Sequence, residues 1–231
     1  MLKLIGLEMK KSKIRRYIKS AVFCNLGILF FMIVVVFIDK MEGTSIFTDY
    51  DEAFLAVDVL VRVTFTIFAA VLMSGLIINE YKNNTISILF TYPISRKKLI
   101  ISKLLIVVIF TFIFIIVSNI FVNSALLTLN AINNFIPGNL SMTIIKENFI
   151  KIVMNALSSS CISLIPLYFG MRKKSASTTI VSSILIALII NGNNYGFSLS
   201  SIVAIPITLA VIGVFIAYLS IKDIESKDII S

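Results

Sequence analysis

The sequence predicts an all-α polytopic membrane protein of about six transmembrane helices, with an N-terminal amphipathic helix and a short helix on the cytoplasmic side. Three observations predict it. Of the 231 residues 58% are hydrophobic, the mean hydropathy is +1.00 and only 14% are charged, where a soluble domain carries about a quarter charged residues. The charges are clustered, and long apolar runs fill the gaps between clusters. These runs are continuous, whereas the strands of a membrane barrel alternate apolar and polar over about ten residues.

A helix needs about 20 apolar residues to cross the hydrocarbon. The segments that qualify are Ala21–Ile38, Val61–Ile78, Leu99–Val122, Ile150–Phe169, Ser177–Ile190 and Ile202–Leu219. The division is an interfacial arm, residues 1–20, followed by a transmembrane domain, residues 21–231. The fifth span is short and carries Ser177, Thr178, Thr179, Ser182 and Ser183, hydroxyls that bond back to helix carbonyls or across to a neighbour. No cleavable signal is expected, because Ala21–Ile38 is too long for a signal core and lacks a small-residue cleavage site.

Orientation follows from the basic residues. With the N-terminus inside, all of the 21 Lys and Arg residues except Lys40, Arg62, Lys146 and Lys151 fall on the inner side, as the positive-inside rule requires. Both termini are then cytoplasmic and the membrane is the plasma membrane. Tyr17, Tyr81, Tyr92, Tyr168 and Tyr218 fall near inner ends and Tyr50 and Tyr195 in outer loops, the depth at which an aromatic belt sits. The net charge of +9 belongs to span ends and points to anionic lipid, not to nucleic acid.

The arm carries Leu2, Ile5 and Met9 at roughly helical spacing, with Lys3, Lys10, Lys11, Lys13, Arg15, Arg16 and Lys19 around them. That pattern suits a helix lying in the headgroup layer. Between spans two and three, residues 79–98 contain a second short helix. Asn83 and Asn84 are N-cap residues, Thr85–Tyr92 makes about two turns, and Ile86, Leu89 and Phe90 share one face. Pro93 ends it and Ser95 caps the next span. Arg96, Lys97 and Lys98 oppose the dipole of the helix they precede, so lipid, topology or an acidic partner accounts for them.

Here the chain resembles the type-2 ABC exporter permeases. Glu80, Thr85, Leu89, Pro93, Ser95-Arg96 and Lys103 match that signature: a Glu ending span two, a Thr opening a coupling helix, and Pro-x-Ser-Arg before span three. Asn84 stands where the family often has Gly. The resemblance implies that Thr85–Tyr92 docks into a separate ATPase subunit, with Glu80, Thr85, Ile86, Leu89, Phe90, Pro93 and Arg96 at the contact. It also implies a second permease copy or paralogue, and ATP bound by the partner with no cofactor in this chain. Small permeases with short outer loops resemble subunits of peptide-antibiotic exporters and immunity transporters.

Polar residues in or near the spans form the other candidate set. Asp58 and Arg62, spaced i, i+4 on the outer approach to span two, suit an outer-mouth ion pair. Asn25, Asn119, Asn123, Asn155 and Ser159 are candidates to line a path, because polar side chains avoid lipid. Pro166 and Pro206 are expected to kink spans four and six.

Several chemistries lack their residues. The chain contains no histidine, which excludes H-E-x-x-H and Ser-His arrangements. Cys24 and Cys161 sit inside apolar runs, where neither a disulfide framework nor a metal site is expected. No G-x-x-x-x-G-K-[ST] loop occurs, and Ser95-x-x-Lys98 lies within the permease signature. An enzyme is not expected. An ion-coupled carrier or channel is the alternative to an ATP-driven exporter of an amphipathic peptide, antibiotic or lipid. Such a carrier would place charges in mid-span, where this reading finds none.

Overall fold

The computed structural model describes residues 2–11, 14–42, 47–82, 96–133, 136–137, 140–191, 193–194, 197–198 and 204–222. The apolar runs fold as helices, since a helix alone satisfies its own backbone in lipid. In chain order they are α1 (Leu2–Lys11), α2 (Ile14–Glu42) and α3 (Tyr50–Met73), which continues through a π-helical stretch (Ser74–Ile78) into α4 (Asn79–Lys82). Then come α5 (Arg96–Asn133), α6 (Met142–Ile162), α7 (Pro166–Lys173), α8 (Ala176–Asn191) and α9 (Ala204–Lys222). Between α8 and α9 a two-residue strand β1 (Asn193–Asn194) pairs antiparallel with β2 (Phe197–Ser198).

Among the described residues four helical segments are long and apolar enough to cross a membrane: Ile14–Ile38, Tyr50–Ile78, Lys97–Ile132 and Met142–Lys173. Ala176–Asn191 and Pro206–Ser220 are apolar but shorter. At 1.5 Å per residue these reach about 24 and about 22 Å, against a hydrocarbon thickness of about 30 Å.

Helix boundaries differ from the sequence expectation in ways that matter. The basic arm divides: α1 stops at Lys11 and α2 starts at Ile14, so Arg15, Arg16 and Lys19 belong to the first turns of the long helix. The second long helix begins at Tyr50, well before Val61, after Thr48 N and Oγ1 donate to Glu52 Oε2 at 3.1 and 2.8 Å. Asp58 and Arg62 therefore lie inside this helix. Pro166 leaves its span helical but tightens it. Across residues 164–167 the bonding goes to three-residue spacing, with Leu164 N to Cys161 O, Ile165 N to Ile162 O and Leu167 N to Leu164 O at 3.0 to 3.1 Å, because Pro supplies no N–H. Pro206, by contrast, kinks nothing: it sits in the first turn of α9, where the missing N–H has no partner to lose.

The core lies between α2, α3 and α5. Phe110 and Phe114 of α5 stack at 4.2 Å, Phe68 of α3 stacks on Phe110 at 5.8 Å, Phe65 meets Phe114 at 5.9 Å, and Tyr17 of α2 meets Phe68 edge-on at 6.5 Å. The opposite face of α2 leaves Phe23, Phe30 and Phe37 exposed, as suits a surface toward lipid tails.

On the other side α6 and α9 pack backbone to backbone. A Cβ on Gly213 would stand 2.4 Å from the Cys161 carbonyl oxygen. Gly213→Ala is therefore expected to destabilise the protein by about 1–3 kcal/mol. Gly27→Ala in α2 meets nothing within 4 Å and is expected to gain about 0.5–1 kcal/mol. Thermal unfolding in detergent reads both, and the opposite signs are the test.

Candidate functional site

Two polar clusters occupy opposite ends of the helical bundle. The one at the end that the basic residues predict to be inner, called the inner cluster, forms where α3 runs out through α4 and where α5 begins. Lys103 is one of the largest fully buried side chains of the protein. Its Nζ donates to the Leu76 carbonyl at 2.9 Å and to Glu80 Oε2, and Glu8 Oε2 of α1 stands 3.9 Å away. Lys11 of α1 adds a hydrogen-bonded ion pair to Glu80 Oε1 at 3.1 Å.

The π-helical stretch explains how a backbone carbonyl comes to serve here. A π-turn disturbs the regular i→i+4 ladder and turns carbonyls aside, and Leu76 lies within it. Ser74 Oγ, at its start, donates back to Val71 O at 2.9 Å. A Cβ on Gly75 would stand 2.2 Å from Tyr17 Oη, so the glycine lets the phenol of α2 reach this turn. Buried Lys103 thus has the anionic and carbonyl partners that a buried ammonium requires. Three elements, α1, α3–α4 and α5, meet at one cation.

The outer cluster is built around Asp58. Its Oδ1 accepts from Asn119 Nδ2 of α5 at 3.2 Å and its Oδ2 from Asn155 Nδ2 of α6 at 2.8 Å. Arg62 Nε stands 2.9 Å from Oδ2, close enough for an ion pair although its N–H is not aimed for a hydrogen bond. Asp58 and Arg62 are only 5% and 4% exposed, so the pair is buried within the bundle. Depth can be read against the exposed Lys151–Asp51 pair at 3.8 Å. Asn155 lies one turn inward of Lys151, about 6 Å, and Asp58 lies about 10 Å inward of Asp51.

The candidate path residues divide accordingly. Asn119 and Asn155 converge on Asp58. Asn123 sits one turn farther along α5, buried, and neither its Oδ1 nor its Nδ2 has a hydrogen-bond partner among the described residues. Asn25 is buried in α2 with its Oδ1 likewise unpaired, and Ser159 is buried on α6 one turn inward of Asn155. Of the expected ATPase contacts, Glu80 is in the inner cluster and Arg96 opens α5. Thr85, Ile86, Leu89, Phe90 and Pro93 lie outside the described residues. Sequence reasoning missed Glu8 and Lys11. A signal existed, since Glu8 is the single acidic residue before Asp39 in an otherwise basic arm.

Among the described residues no group of His, Cys, Asp and Glu is arranged to hold a metal ion. A chain of apolar helices joined by buried ionic contacts at both ends suits a moving membrane body. The family comparison decides which kind: a family model described as ABC-2 family transporter protein matches residues 4–191. The chain belongs to the ABC-2 family of transporter proteins.

As a type-2 ABC permease it is a membrane-embedded transporter subunit, of a family that normally works with an ATPase partner. The Bacillus subtilis (strain 168) protein titled "Uncharacterized protein YcbO" is 43% identical to the permease over 225 residues, covering 97% of this chain and 99% of that protein. No solved structure matches it. The inner cluster brackets residues 83–95, which carry Thr85, Leu89, Pro93 and Ser95 of the permease signature.

Proposed function

We propose that this permease is the membrane subunit of an ATP-driven exporter, powered by a separate ATPase that grips Thr85–Tyr92. The observation that carries the reading is the inner cluster. Glu80 and Lys103 close the base of the loop that holds this segment, and the Leu76 carbonyl joins it. A push on the segment is then delivered to α3 and α5 together and to α1 through Glu8 and Lys11. The chain has no phosphate-binding loop of its own, so ATP belongs to the partner.

The rest of the proposal follows the same frame. The termini face the cytosol, α8 and α9 complete six crossings, and a second copy or a paralogue supplies the other half of the pathway. The cargo is amphipathic: a peptide, an antibiotic or a lipid. Export in self-protection against a peptide antibiotic fits the small size and short outer loops. Anionic lipid meets Lys10, Arg15, Arg16 and Lys19 at the inner rim, where they are exposed.

The buried Asp58–Arg62 pair is the observation that favours an ion-coupled carrier, since carriers place charges inside spans. Its charges are matched within the cluster, and membership of the ABC-2 family favours the exporter.

Affinity purification of the tagged full-length chain from mild detergent is expected to bring down a nucleotide-hydrolysing subunit. Leu89→Arg should lose that subunit while the chain still inserts, because a charge on the apolar docking face must be desolvated. Recovery of the chain without any ATPase, or an undiminished ATPase with Leu89→Arg, refutes the docking.

A further inference from the structure

Helices α3 and α5 are joined at four levels from end to end. At the outer end Asn130 Nδ2 donates to Tyr50 Oη at 2.9 Å. Next inward Asn119 Nδ2 donates to Asp58. Deeper, Phe68 stacks on Phe110. At the inner end Lys103 holds Leu76 O and Glu80. As one residue number falls the other rises in step, so a single antiparallel register runs the whole length. Among the described residues the hydrogen bonds and ion pairs joining α3 to α6 lie only at the outer end: the exposed Lys151–Asp51 pair and the half-buried Asn155–Asp58 bond. α6 is in turn locked to α9 through Gly213.

We infer that α3 and α5 move as one rigid lever and that the Asn155–Asp58 bond is the clasp that closes the outer exit between this lever and the α6–α9 pair. The inference deepens the exporter reading and rests on it for the source of the push. The physical argument is one of relative stiffness. Elements held in register by polar and aromatic ties at several levels shift as a body, and motion concentrates where few such directional ties must break. An exposed ion pair contributes little, so the 2.8 Å bond to the buried Asp58 carboxylate is the contact that holds the exit shut.

The test uses the full chain in intact cells, with Cys24→Ser, Cys161→Ser and the reporter Ser159→Cys, one turn inward of the clasp. A membrane-impermeant maleimide is applied from outside, and Leu140→Cys, exposed before α6, is the positive control. Asn155→Leu is expected to raise reporter labelling roughly tenfold. Asn155→Ser, a gentler change, should act in the same direction. Asn119→Leu should leave labelling within about twofold, because the lever keeps its other ties.

Unchanged labelling in both Asn155 variants overturns the clasp. Equal labelling in Asn119→Leu overturns the lever, and an unlabelled Leu140→Cys overturns the assignment of this end as the outer one. The measurement needs neither nucleotide nor companion subunit, so its failure is separate from failure of ATPase co-purification.

Discussion

Lys103→Met is expected to destabilise the permease by about 3–5 kcal/mol and to disconnect ATP hydrolysis from movement of the spans. Removing the cation takes a counter-charge from Glu8, which is 7% exposed, and takes from Glu80 the buried one of its two lysine contacts. Breaking a buried pair by deleting one partner costs far more than the pair contributes, because the survivor keeps its desolvation penalty. Lys11→Ala is the internal comparison. It removes the other lysine from the same Glu80, but Lys11 is half exposed, and the expected loss is under about 1 kcal/mol. Thermal unfolding in detergent gives the two stabilities. ATP hydrolysis by the co-purified ATPase shows the coupling: Lys103→Met should abolish its response to the permease and Lys11→Ala should keep it. Equal effects from the two lysines would mean that burial is not what gives Lys103 its role.

Asp58→Ala is the second change of this size. It leaves Arg62 buried without its counter-ion, removes the acceptor of Asn155 and leaves Asn119 only the Ile115 carbonyl, for an expected loss of about 3–5 kcal/mol. Asp58→Leu combined with Arg62→Leu removes both charges and refills the space. That double variant should recover most of the stability, since apolar replacement of a whole buried ion pair is often neutral or stabilising. It should not recover a closed outer exit, because Asn155 has lost its partner. A double variant as unstable as Asp58→Ala would show that the cluster serves chiefly as a structural tie, with no separable role in the exit.

Several parts of this arrangement were legible in the residues. Apolar runs bounded by basic clusters announce membrane helices, because the cost of exposing backbone and charge to hydrocarbon leaves few other folds. The signature around Glu80 to Lys103 announced the family, since its residues are close in sequence. The start of the second long helix was not legible from hydropathy alone. Tyr50 to Leu60 includes Asp51, Glu52 and Asp58, which lowers the apparent apolarity, yet Asp51 and Glu52 suit a helix N-terminus and Asp58 is satisfied by partners from other helices. Glu8 was passed over for the same kind of reason: its partner Lys103 is 95 residues away in the chain, and no local pattern records that pairing.

The sequence by itself determined that this is a helical membrane protein and which family it resembles. These follow from local quantities: hydropathy over a span length, loop charge and a short motif. Tertiary structure alone decided that Asp58 and Arg62 are buried inside a helix, that Asn119 and Asn155 meet on one carboxylate, and that a single lysine ties three elements at the inner end. A buried charge is tolerated only where distant segments bring it counter-charges and hydrogen bonds, and that meeting is a property of packing.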